Sequence, residues 1–424
     1  MAMTVDAFPE ESGPQQGRLF AAGGPSFAEH HGRFGSLPEF RRPGALAALL
    51  DEAGLVGRGG AGFPTGRKIS TATGRGAIAI GNGAEGEPES RKDATLLAHA
   101  PHLVLDGLIL AGEAIGAREL YLYVPTRALA TVRAALDERH DARWHRPHVN
   151  VIEAPDTFVA GEKSAVVSRV EGGPALPRDQ LASTAVSGVR GRPTLVQNVE
   201  TLAHIGLIAR YGPRWFRSVG DPSEPGTMLV TLSGAVRAGG VVEVPTNVSI
   251  AELISHDGGT DLRTLRSVLV GGYHGTWLTP ASLGDFHLCR PSMARAGASP
   301  GAGIVHALAI GDCGLARSAD IVTYLAEQSA GQCGPCINGL PRLAQLLTEL
   351  AYGTATATGA ATEIRRIADL VDGRGSCRHP DGTARFVRSA LDVFASDILL
   401  HNDGQCEALL TTATGHDSRK ESRV

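Results

Sequence analysis

The segment 57–68 reads GRGGAGFPTGRK, which holds glycines at the spacing G-x-G-x-x-G and ends on Lys68. Glycines let a backbone approach a ligand closely and leave its N–H groups free to bind phosphate. The spacing alone is weak, because equally dense glycines form ordinary turns. The segment also follows an amphipathic helix over 45–53, ended by Gly54, whereas a Rossmann phosphate loop follows a buried strand. It therefore predicts either a phosphate-binding loop of another fold or an ordinary turn.

Cysteine spacing gives a second candidate site. Cys333 and Cys336 form a C-x-x-C pair between two helical segments, which favours a cluster over a redox pair at a strand-to-helix turn. Cys377 could share the site, although three cysteines cannot supply four thiolate ligands, and buried thiols without a metal are the alternative. The first nine residues hold no secretion signal, so a disulfide framework is not expected. The remaining cysteines are interpreted as structural: Cys289, Cys313 and Cys406.

Polar side chains follow a short buried strand at 82–89, a loop with one amide and three glutamates. Ligands of α/β sheets bind at the carboxyl ends of the strands, so this loop is a candidate binding segment; a solvated acidic loop is the alternative. Two further polar turns, 161–164 and 197–201, begin helical runs. Each turn taken singly is more typical of a capping turn than of a binding site, because helices begin with unpaired N–H groups.

Composition excludes several classes of protein. The chain has 424 residues, 42% hydrophobic and 20% charged, as expected of a globular protein with two to four domains. Lys and Arg number 40 and Asp and Glu 44, and 40 − 44 gives a net charge of −4, which does not indicate nucleic-acid binding. The most apolar run, 103–117, is short and contains Asp106 and Glu113, so no direct membrane insertion is expected.

The order of apolar runs and turn residues predicts several units. We expect an extended N-terminal arm over 1–40 and then alternating strands and helices, an α/β domain, over 41–220. Two strands, a helix and a strand predict a small α+β domain over 226–290. Helical periodicity predicts a helical domain over 300–402, followed by a polar tail over 403–424.

Taken together, the motifs resemble the NADH-binding FMN flavoprotein subunit of respiratory complex I and the related diaphorase subunits of NAD-linked hydrogenases and formate dehydrogenases. The resemblance covers roughly residues 40–400. It implies an FMN- and NADH-binding α/β domain, a β-grasp domain of the soluble-ligand-binding type and a helical bundle that carries a 4Fe–4S cluster. Five segments stand in the family's order: 57–68, 82–88, 158–165, 193–201 and 329–339.

The resemblance also implies roles for single residues. Glu85 and Glu87 take catalytic positions, with Glu87 near the nicotinamide and Glu85 also beside the flavin. Phe63 stacks on the adenine. The other cofactor-binding positions are Gly57, Arg58, Gly59, Gly60, Gly62, Lys68, Asn82, Gly161, Glu162, Lys163, Asn198 and Thr201. The implied metal ligands are Cys333, Cys336 and Cys377.

The chain departs from the family pattern at several positions, and three of them bear on the cofactors. Ala330 replaces the first cysteine of S-C-G-x-C-x-x-C, which leaves either no cluster or an altered one: a 3Fe–4S cluster, or a 4Fe–4S cluster with a non-cysteine fourth ligand. Lys163 replaces an acidic residue, and a basic residue there favours a 2′-phosphate and hence NADPH. Ala84 replaces a usual aspartate near the flavin.

The resulting hypothesis is an FMN-dependent NAD(P)H dehydrogenase subunit. It would pass a hydride from NAD(P)H to FMN and then single electrons to a ferredoxin-like or iron–sulfur partner subunit. We expect a cytoplasmic protein that reaches a membrane only through a partner. The alternative is a degenerate, non-catalytic scaffold, which Ala330 and Lys163 favour and the intact motifs at 57–68 and 82–88 oppose.

Overall fold

A computed structural model of the chain describes residues 17–144, 147–179, 182–353 and 357–410. Within these ranges the protein is a mixed α/β structure with a four-stranded parallel sheet, a five-stranded mixed sheet and a C-terminal group of helices. The three parts follow one another along the chain, and they meet around one cleft.

The first unit is built on the parallel sheet, whose strand order is β3-β2-β1-β4. Its elements are α1 (Phe27–Phe34), α2 (Ala45–Ala53), α3 (Thr65–Thr71), β1 (Ile78–Asn82), α4 (Lys92–His99), α5 (Pro101–Ile115), β2 (Glu119–Pro125), α6 (Thr126–Asp141), β3 (Val149–Ala154), α7 (Lys163–Val170), β4 (Thr194–Asn198) and α8 (Val199–Phe216).

Both faces of this sheet are covered, as the near-continuous apolar strands require. Ala79 and Leu122 pack in a cluster with α5 and α8, whereas their neighbours Ile80 and Tyr123 pack with α7 on the opposite face. Strands β1 and β4 end together, because Asn82 is in register with Asn198. The polar ends of two strands therefore lie side by side.

The N-terminal residues differ from the extended arm predicted over 1–40. Within the described part, α1 forms because Ser26 and Glu29 make a reciprocal capping box, and its residue Phe34 packs into the main core. Apolar residues on either side, Leu19 and Leu37, are also buried there. The prediction of an extended arm is thus wrong for residues 27–34, where too few apolar residues repeat to give a clear helical period.

The second unit is the mixed sheet, with strand order β10-β9-β11-β7-β8 and a separate two-stranded ribbon, β5-β6. In this unit, a π-helical turn at Leu253–Asp257 directly follows the short helix Ile250–Glu252. Its elements are β5 (Gly220–Asp221), β6 (Glu224–Pro225), β7 (Thr227–Gly234), β8 (Gly240–Pro245), α9 (Ile250–Glu252), β9 (Leu265–Val270), β10 (Thr276–Leu278), α10 (Arg290–Met293) and β11 (Ile304–Ala309).

One strand of this sheet falls in the range predicted to be helical, 300–402. Strand β11 lies in the middle of the sheet, parallel to β7 and antiparallel to β9. The boundary near 290–300 therefore differs from the prediction, because the short apolar run at 304–309 is buried between two strands distant in sequence. Periodicity cannot separate such a run from a buried helical segment.

The C-terminal unit consists of α11 (Gly314–Glu327), α12 (Leu340–Ala351), α13 (Ala357–Val371), α14 (His379–Val393) and α15 (Ala395–Asn402), with a π-helical turn at Pro335–Gly339. Within the range predicted to be helical, residues 384–399 belong to two helices, α14 and α15. They are separated at Phe394, whose φ of −102° and ψ of 27° are not helical.

No single helix in the described ranges has the length and apolarity needed to cross a membrane. Helices α4 and α5 pass such a test only as a pair, and they are bent by 97° relative to one another.

The contact between α5 and α8 depends on Gly107. A Cβ atom at this position would lie 1.8 Å from the carbonyl oxygen of Leu202, a distance that requires the two helices to separate. We predict that Gly107→Ala lowers the free energy of unfolding by about 1–3 kcal/mol, as overpacked cores do. Urea unfolding followed by circular dichroism measures the change.

The matched control is Gly32→Ala, because Gly32 also lies within a helix, is exposed and has no atom within 4 Å of the position that a Cβ would occupy. That variant should gain up to about 1 kcal/mol from helix propensity alone. Equal destabilisation of both variants would contradict the proposed close contact.

Candidate functional site

A cleft of about 1000 Å³ lies at the carboxyl ends of the parallel strands, where all three units meet. This is the position at which open α/β sheets bind ligands. Several residues predicted from the sequence line it: Gly59, Gly60, Asn82, Glu85, Glu87, Gly161 and Asn198. The cleft lining does not include the other predicted cofactor-binding residues, which are Gly57, Arg58, Gly62, Phe63, Lys68, Glu162, Lys163 and Thr201.

One wall of the cleft is the backbone of the glycine-rich loop. The loop is closed by a hydrogen bond from the N–H of Gly57 to the carbonyl of Phe63, 3.0 Å long. A Cβ atom at Gly59 would lie 3.0 Å from the Cβ of Asn198, and Gly60 has a φ of +104° that other residues rarely adopt. The wall is therefore smooth backbone that side chains would obstruct, as a flat or anionic ligand requires.

Arg58 and Thr201 support this loop from behind. The N–H of Arg58 donates to the hydroxyl of Thr201 at 2.8 Å, and both residues are buried. The Arg58 guanidinium donates to Glu224 Oε1 at 3.1 Å and to the carbonyl of Pro225 at 3.0 Å. The sequence resemblance assigns both residues to the cofactor pocket; in the structure their functional atoms are used by the protein itself.

Arg290 of the second unit attaches to the glycine-rich loop. The guanidinium of Arg290 pairs with Glu224 and donates to the carbonyl of Gly60 at 3.0 Å. Gly62 has a φ of +62°, and a Cβ atom there would overlap the Arg290 side chain. Glycine is required at this position for packing as well as for conformation.

Lys68 faces the end of β4. Its ammonium donates to the carbonyl of Val196 and to Gln197 Oε1, the latter at 2.7 Å. Burial, followed by the positive charge of Lys163, lowers the pKa of Lys68 to about 8. Lys163 itself is exposed. Two amines thus lie near one another beside the glycine loop.

Two other predicted residues have local structural partners. Glu162 caps α7, since its carboxylate accepts the N–H groups of Ser164 at 2.7 Å and Ala165 at 3.2 Å. Phe63 is 47% exposed, and the guanidinium of Arg67 lies 6.0 Å from its ring centroid. Stacking of Phe63 on an adenine stays a prediction.

Glu85 lies at the cleft and also accepts hydrogen bonds from the first turn of α4. Its Oε1 accepts the hydroxyl of Ser90 at 2.5 Å and the N–H of Asp93 at 3.0 Å, and its Oε2 accepts the N–H of Ala94 at 3.1 Å. These bonds satisfy donors that the first turn of a helix leaves unpaired. Glu85 therefore holds the first turn of α4 in place at the floor of the cleft.

Glu87 is the acid in the cleft whose hydrogen bonding is incomplete. Its Oε2 accepts the N–H of Tyr273 at 2.9 Å, whereas its Oε1 is shielded from solvent and has no partner. Burial, assisted by the charge of Glu89, raises the pKa of Glu87 to about 8 although the Tyr273 N–H opposes the shift. The carboxyl group is thus mainly protonated at pH 7 and can donate a hydrogen bond.

A buried ion pair that the sequence did not reveal forms the cleft floor. The ammonium of Lys92 lies 2.7 Å from Asp93 Oδ1 and 2.9 Å from Glu200 Oε2. Burial alone would lower the pKa of Lys92, but the two carboxylates raise it overall. Asp93 Oδ2 accepts the side-chain amide of Asn198 at 2.7 Å. Lys92 and Asp93 follow the 82–89 motif after two residues, and this proximity is the only local signal of their role.

The C-terminal unit adds arginines to the rim of the cleft. Arg385 donates to the carbonyl of His274 at 3.1 and 2.6 Å, and Arg388 bonds Asp369 at 2.7 Å and Asp372 at 2.8 Å. Both arginines lie on α14, far along the chain from the glycine loop. Sequence motifs near the loop could not have revealed them.

The three cysteines predicted as metal ligands lie near one another. Burial, followed by its neighbour Cys333, raises the pKa of the Cys336 thiol to about 12. Burial would also raise the pKa of Cys333, but the N–H groups of Cys336 and Ser376 lower it overall. Burial, and after it the charges of Glu162 and Cys333, raises the pKa of Cys377. Three sulfur donors, two of them adjacent at C-x-x-C spacing, fit a soft metal or cluster site that lacks one thiolate at Ala330.

Comparison with known proteins agrees with this geometry. Residues 50–207 match the family described as the Nuo51 FMN-binding domain. Residues 316–401 match the NADH-ubiquinone oxidoreductase-F iron-sulfur binding region. The fold and site therefore define an oxidoreductase chain with an FMN-binding domain and an iron–sulfur binding region.

Individual proteins that match most of this chain indicate its family more closely. One of them, the second F-type subunit of the NADH-quinone oxidoreductase of Rhizobium meliloti (strain 1021), is 30% identical over 376 residues, which cover 85% of this chain and 89% of the relative. The chain belongs to the family of NADH-quinone oxidoreductase F-type subunits, as the sequence resemblance predicted. The NADP-reducing hydrogenase subunit HndC of Solidesulfovibrio fructosivorans is 28% identical over 389 residues, covering 88% of this chain and 79% of that subunit.

A solved structure has a similar fold. In the NAD+-reducing [NiFe]-hydrogenase in its H2-reduced state, one chain superposes with a TM-score of 0.78 at 29% identity. The match covers 85% of this chain and 63% of the hydrogenase chain, so this protein spans less than two thirds of that chain.

The shifted pKa of Glu87 predicts a pH dependence of stability. Because the folded-state pKa is raised from 4.5 to about 8, the native state holds a proton that the unfolded chain loses above pH 4.5. The stabilisation is complete below pH 4.5 and is lost as the pH rises to 8, at up to about 1.4 kcal/mol per pH unit. We predict that Glu87→Gln, which mimics the protonated acid, becomes more stable than the parent protein as pH rises from 5.5 to 8.5.

The neighbouring Glu89→Gln variant is the control. Burial would raise the pKa of Glu89, but His306, Ser233 and Arg317 lower it to about 2. This variant should therefore be less stable than the parent above pH 4.5, which is the opposite of the stability change expected for Glu87→Gln. Thermal unfolding across the pH series measures both, and parallel curves for Glu87→Gln and the parent would rule out the raised pKa.

Proposed function

We propose that the protein is an FMN-dependent NAD(P)H dehydrogenase (diaphorase) subunit that takes a hydride from NAD(P)H and delivers single electrons to an iron–sulfur partner. The observation that carries this proposal is the cleft, which combines a wall of glycine backbone, two strand-end amides and the unpaired Oε1 of Glu87. The names of the relatives, an NADH-quinone oxidoreductase subunit and an NADP-reducing hydrogenase subunit, support the same reaction class.

The residues present fit FMN. The Gly59 and Gly60 backbone offers close approach, and the side chains of Asn82 and Asn198 border the cleft at adjacent strand ends, opposite Gly161. Each asparagine has partners that fix its orientation: Asn82 donates to the carbonyl of Gly161 at 3.0 Å, and Asn198 donates to Asp93. When bound, FMN would supply two-electron acceptance and one-electron release, which no amino-acid side chain here provides.

Glu87 is proposed to hold a proton at the cleft. Its Oε2 is fixed by the Tyr273 N–H, and the residue lines the cleft, so its carboxyl group is held beside whatever occupies the site. A neutral acid in this position donates a hydrogen bond without adding a negative charge near an electron-rich ligand. Glu85, whose oxygens are fully used at the start of α4, is proposed to position the floor and not to exchange protons.

Nucleotide selectivity is proposed to depend on Lys163. No ion pair to Lys163 within 4 Å occurs in the described part of the chain, and its charge contributes to the lowered pKa of Lys68. An anionic 2′-phosphate close to both amines would relieve their mutual repulsion. NADPH is therefore the proposed preferred donor, and NADH the weaker one.

Anaerobic absorbance spectroscopy tests the proposed reaction. After reconstitution with FMN, the protein should show flavin bands that bleach on addition of NADPH at lower concentration than of NADH. Lys163→Glu should reverse or abolish the preference by about tenfold or more, which corresponds to about 1.4 kcal/mol. The site is exposed at this residue, so the variant is expected to fold.

Lys163→Arg is the matched control, because it keeps the positive charge and should keep the preference for NADPH. A parent protein that prefers NADH would contradict the role of Lys163 while leaving the flavin site intact. A protein that binds no FMN would contradict the proposed function itself and favour the non-catalytic scaffold, which the substitution at Ala330 already supports.

Cys333, Cys336 and Cys377 are proposed to hold an iron–sulfur cluster with three thiolate ligands. Their convergence in the C-terminal unit and the match of 316–401 to an iron–sulfur binding region support the assignment. We predict that Ala330→Cys, which completes the family pattern, raises the iron content after anaerobic reconstitution from about three to about four per chain. Iron analysis and electron paramagnetic resonance measure the change.

Ser329→Cys is the matched control, since it adds a thiol one residue away from the family position and should leave the iron content unchanged. Equal gains for both variants would show that any extra thiol in this turn suffices. No iron in the parent and four in Ala330→Cys would mean that the cluster is absent in this protein.

The fold of the second unit, the arrangement of domains, the partner and the location are also proposals. The order β8-β7-β11-β9 with α9 between the hairpin and the other strands supports a β-grasp fold for the second unit. The arrangement of domains along the chain, the partner subunit and a cytoplasmic location, peripheral to a membrane only through that partner, are proposed from the subunit names of the relatives.

A further inference from the structure

We propose that Cys313, His401 and Cys406 bind one Zn²⁺ ion that fastens the C-terminal segment to the start of α11. The ligand atoms of the three side chains all lie within 4.8 Å of one another, and no other described group of three or more potential ligands is as close. The site is separate from Cys333, Cys336 and Cys377, and from the FMN cleft. Two thiols and one imidazole form a donor set that Zn²⁺ prefers.

The measured spacing matches a tetrahedral ion. Cys313 Sγ lies 3.6 Å from His401 Nε2. With Zn–S bonds of about 2.3 Å and Zn–N bonds of about 2.05 Å, a tetrahedral angle puts a sulfur and a nitrogen ligand about 3.6 Å apart. The imidazole is therefore already at the distance that shared coordination requires, with its Nε2 directed at the sulfur.

The start of α11 supports Cys313 as a thiolate once a cation is present. Cys313 is the N-cap residue, and its Sγ accepts the N–H of Ala316 at 3.4 Å. N–H groups and the positive end of the helix dipole favour a negative sulfur at this position. A thiolate, and not a thiol, is the form that binds metal.

The C-terminal segment is held so that its two ligands face Cys313. His401 is buried near the end of α15, and Cys406 follows after four residues, a spacing common for zinc ligands. Asp397 is buried and accepts the N–H of Glu407 at 3.0 Å, while Arg266 pairs with both acids at 3.4 and 3.0 Å. These bonds fix the position of residue 406 independently of any metal.

Three protein ligands leave the fourth position of a tetrahedral ion to water or an external ligand, as in sites that keep an open position. The consequence of binding is mechanical. One ion would join residues 313, 401 and 406 across 93 positions of sequence, and would couple the end of the chain to the helical unit. Removal of the ion should loosen this end without changing the cleft.

Metal analysis of the full-length chain tests the proposal. The Cys333→Ser/Cys336→Ser background removes competing thiols, and the protein is prepared under anaerobic, reducing conditions. After exposure to one equivalent of Zn²⁺ and desalting, we expect about one zinc per chain by mass spectrometry, and Co²⁺ should give the intense visible bands of a tetrahedral thiolate site. Cys313→Ser, His401→Ala and Cys406→Ser should each weaken zinc affinity at least tenfold in competition with a chromophoric chelator.

Cys289→Ser is the matched control, because it removes a thiol elsewhere and should keep the zinc. Circular dichroism of each variant identifies any that fails to fold, and Cys406→Ser, which lies between α15 and the helical residues 407–410, is the one least able to prevent folding. No more zinc than in Cys313→Ser, or equal affinity in Cys406→Ser and Cys289→Ser, would overturn the proposal. A Cys313–Cys406 disulfide in a zinc-free protein, detected by thiol counting, would also overturn it.

Discussion

The assembly of the cleft depends on one buried carboxylate, Glu200. Its Oε2 pairs with Lys92 at 2.9 Å, and its Oε1 accepts the N–H of Leu229 from strand β7 at 2.8 Å. A buried charge is tolerated only when its partners are in place, and loss of one partner typically costs about 3–5 kcal/mol. Glu200 lies on α8, and its partners Lys92 and Leu229 lie on α4 and β7. Its two interactions therefore form together only when the two sheets adopt one relative position. The cleft between them is a consequence of that requirement.

A second buried carboxylate extends the same principle to the glycine loop. Glu224 accepts Arg58 from the loop and Arg290 from the second unit, and Arg290 also bonds the carbonyl of Gly60. The flexible glycines of the loop are therefore fixed by charged side chains behind them, so the cleft wall is ordered before a ligand arrives. Preorganisation of this kind reduces the entropy that binding must overcome. It also explains why Arg58 belongs to the motif although its guanidinium does not reach the cleft.

Sequence predicts the elements that carry their own signal and misses those that depend on distant partners. Strands β1, β2 and β3 are apolar runs bounded by turn residues, and the helix over 45–53 ends at Gly54, as predicted. The end of strand β4 resembles a polar turn in the sequence, because its pairing with β1 is invisible locally. Likewise, the Lys92–Glu200 pair joins residues 108 positions apart. The motifs indicate the residues near the cleft, whereas the contacts between distant residues decide which of them line it and which support it from behind.

At Glu87 the structure departs from the rule that buried polar atoms are hydrogen-bonded. Shielding a carboxyl oxygen without a partner is unfavourable, and the surroundings supply none: Tyr273 satisfies one oxygen, and the nearby charges of Glu85 and Glu89 disfavour ionisation. Such violations concentrate at functional sites, where a ligand completes what the protein leaves open. A ligand that accepts a hydrogen bond from Glu87 would stabilise its protonated form, whereas a cationic ligand would release the proton. Occupancy of the cleft and the protonation of Glu87 are therefore linked, and each must change the other by the same free energy.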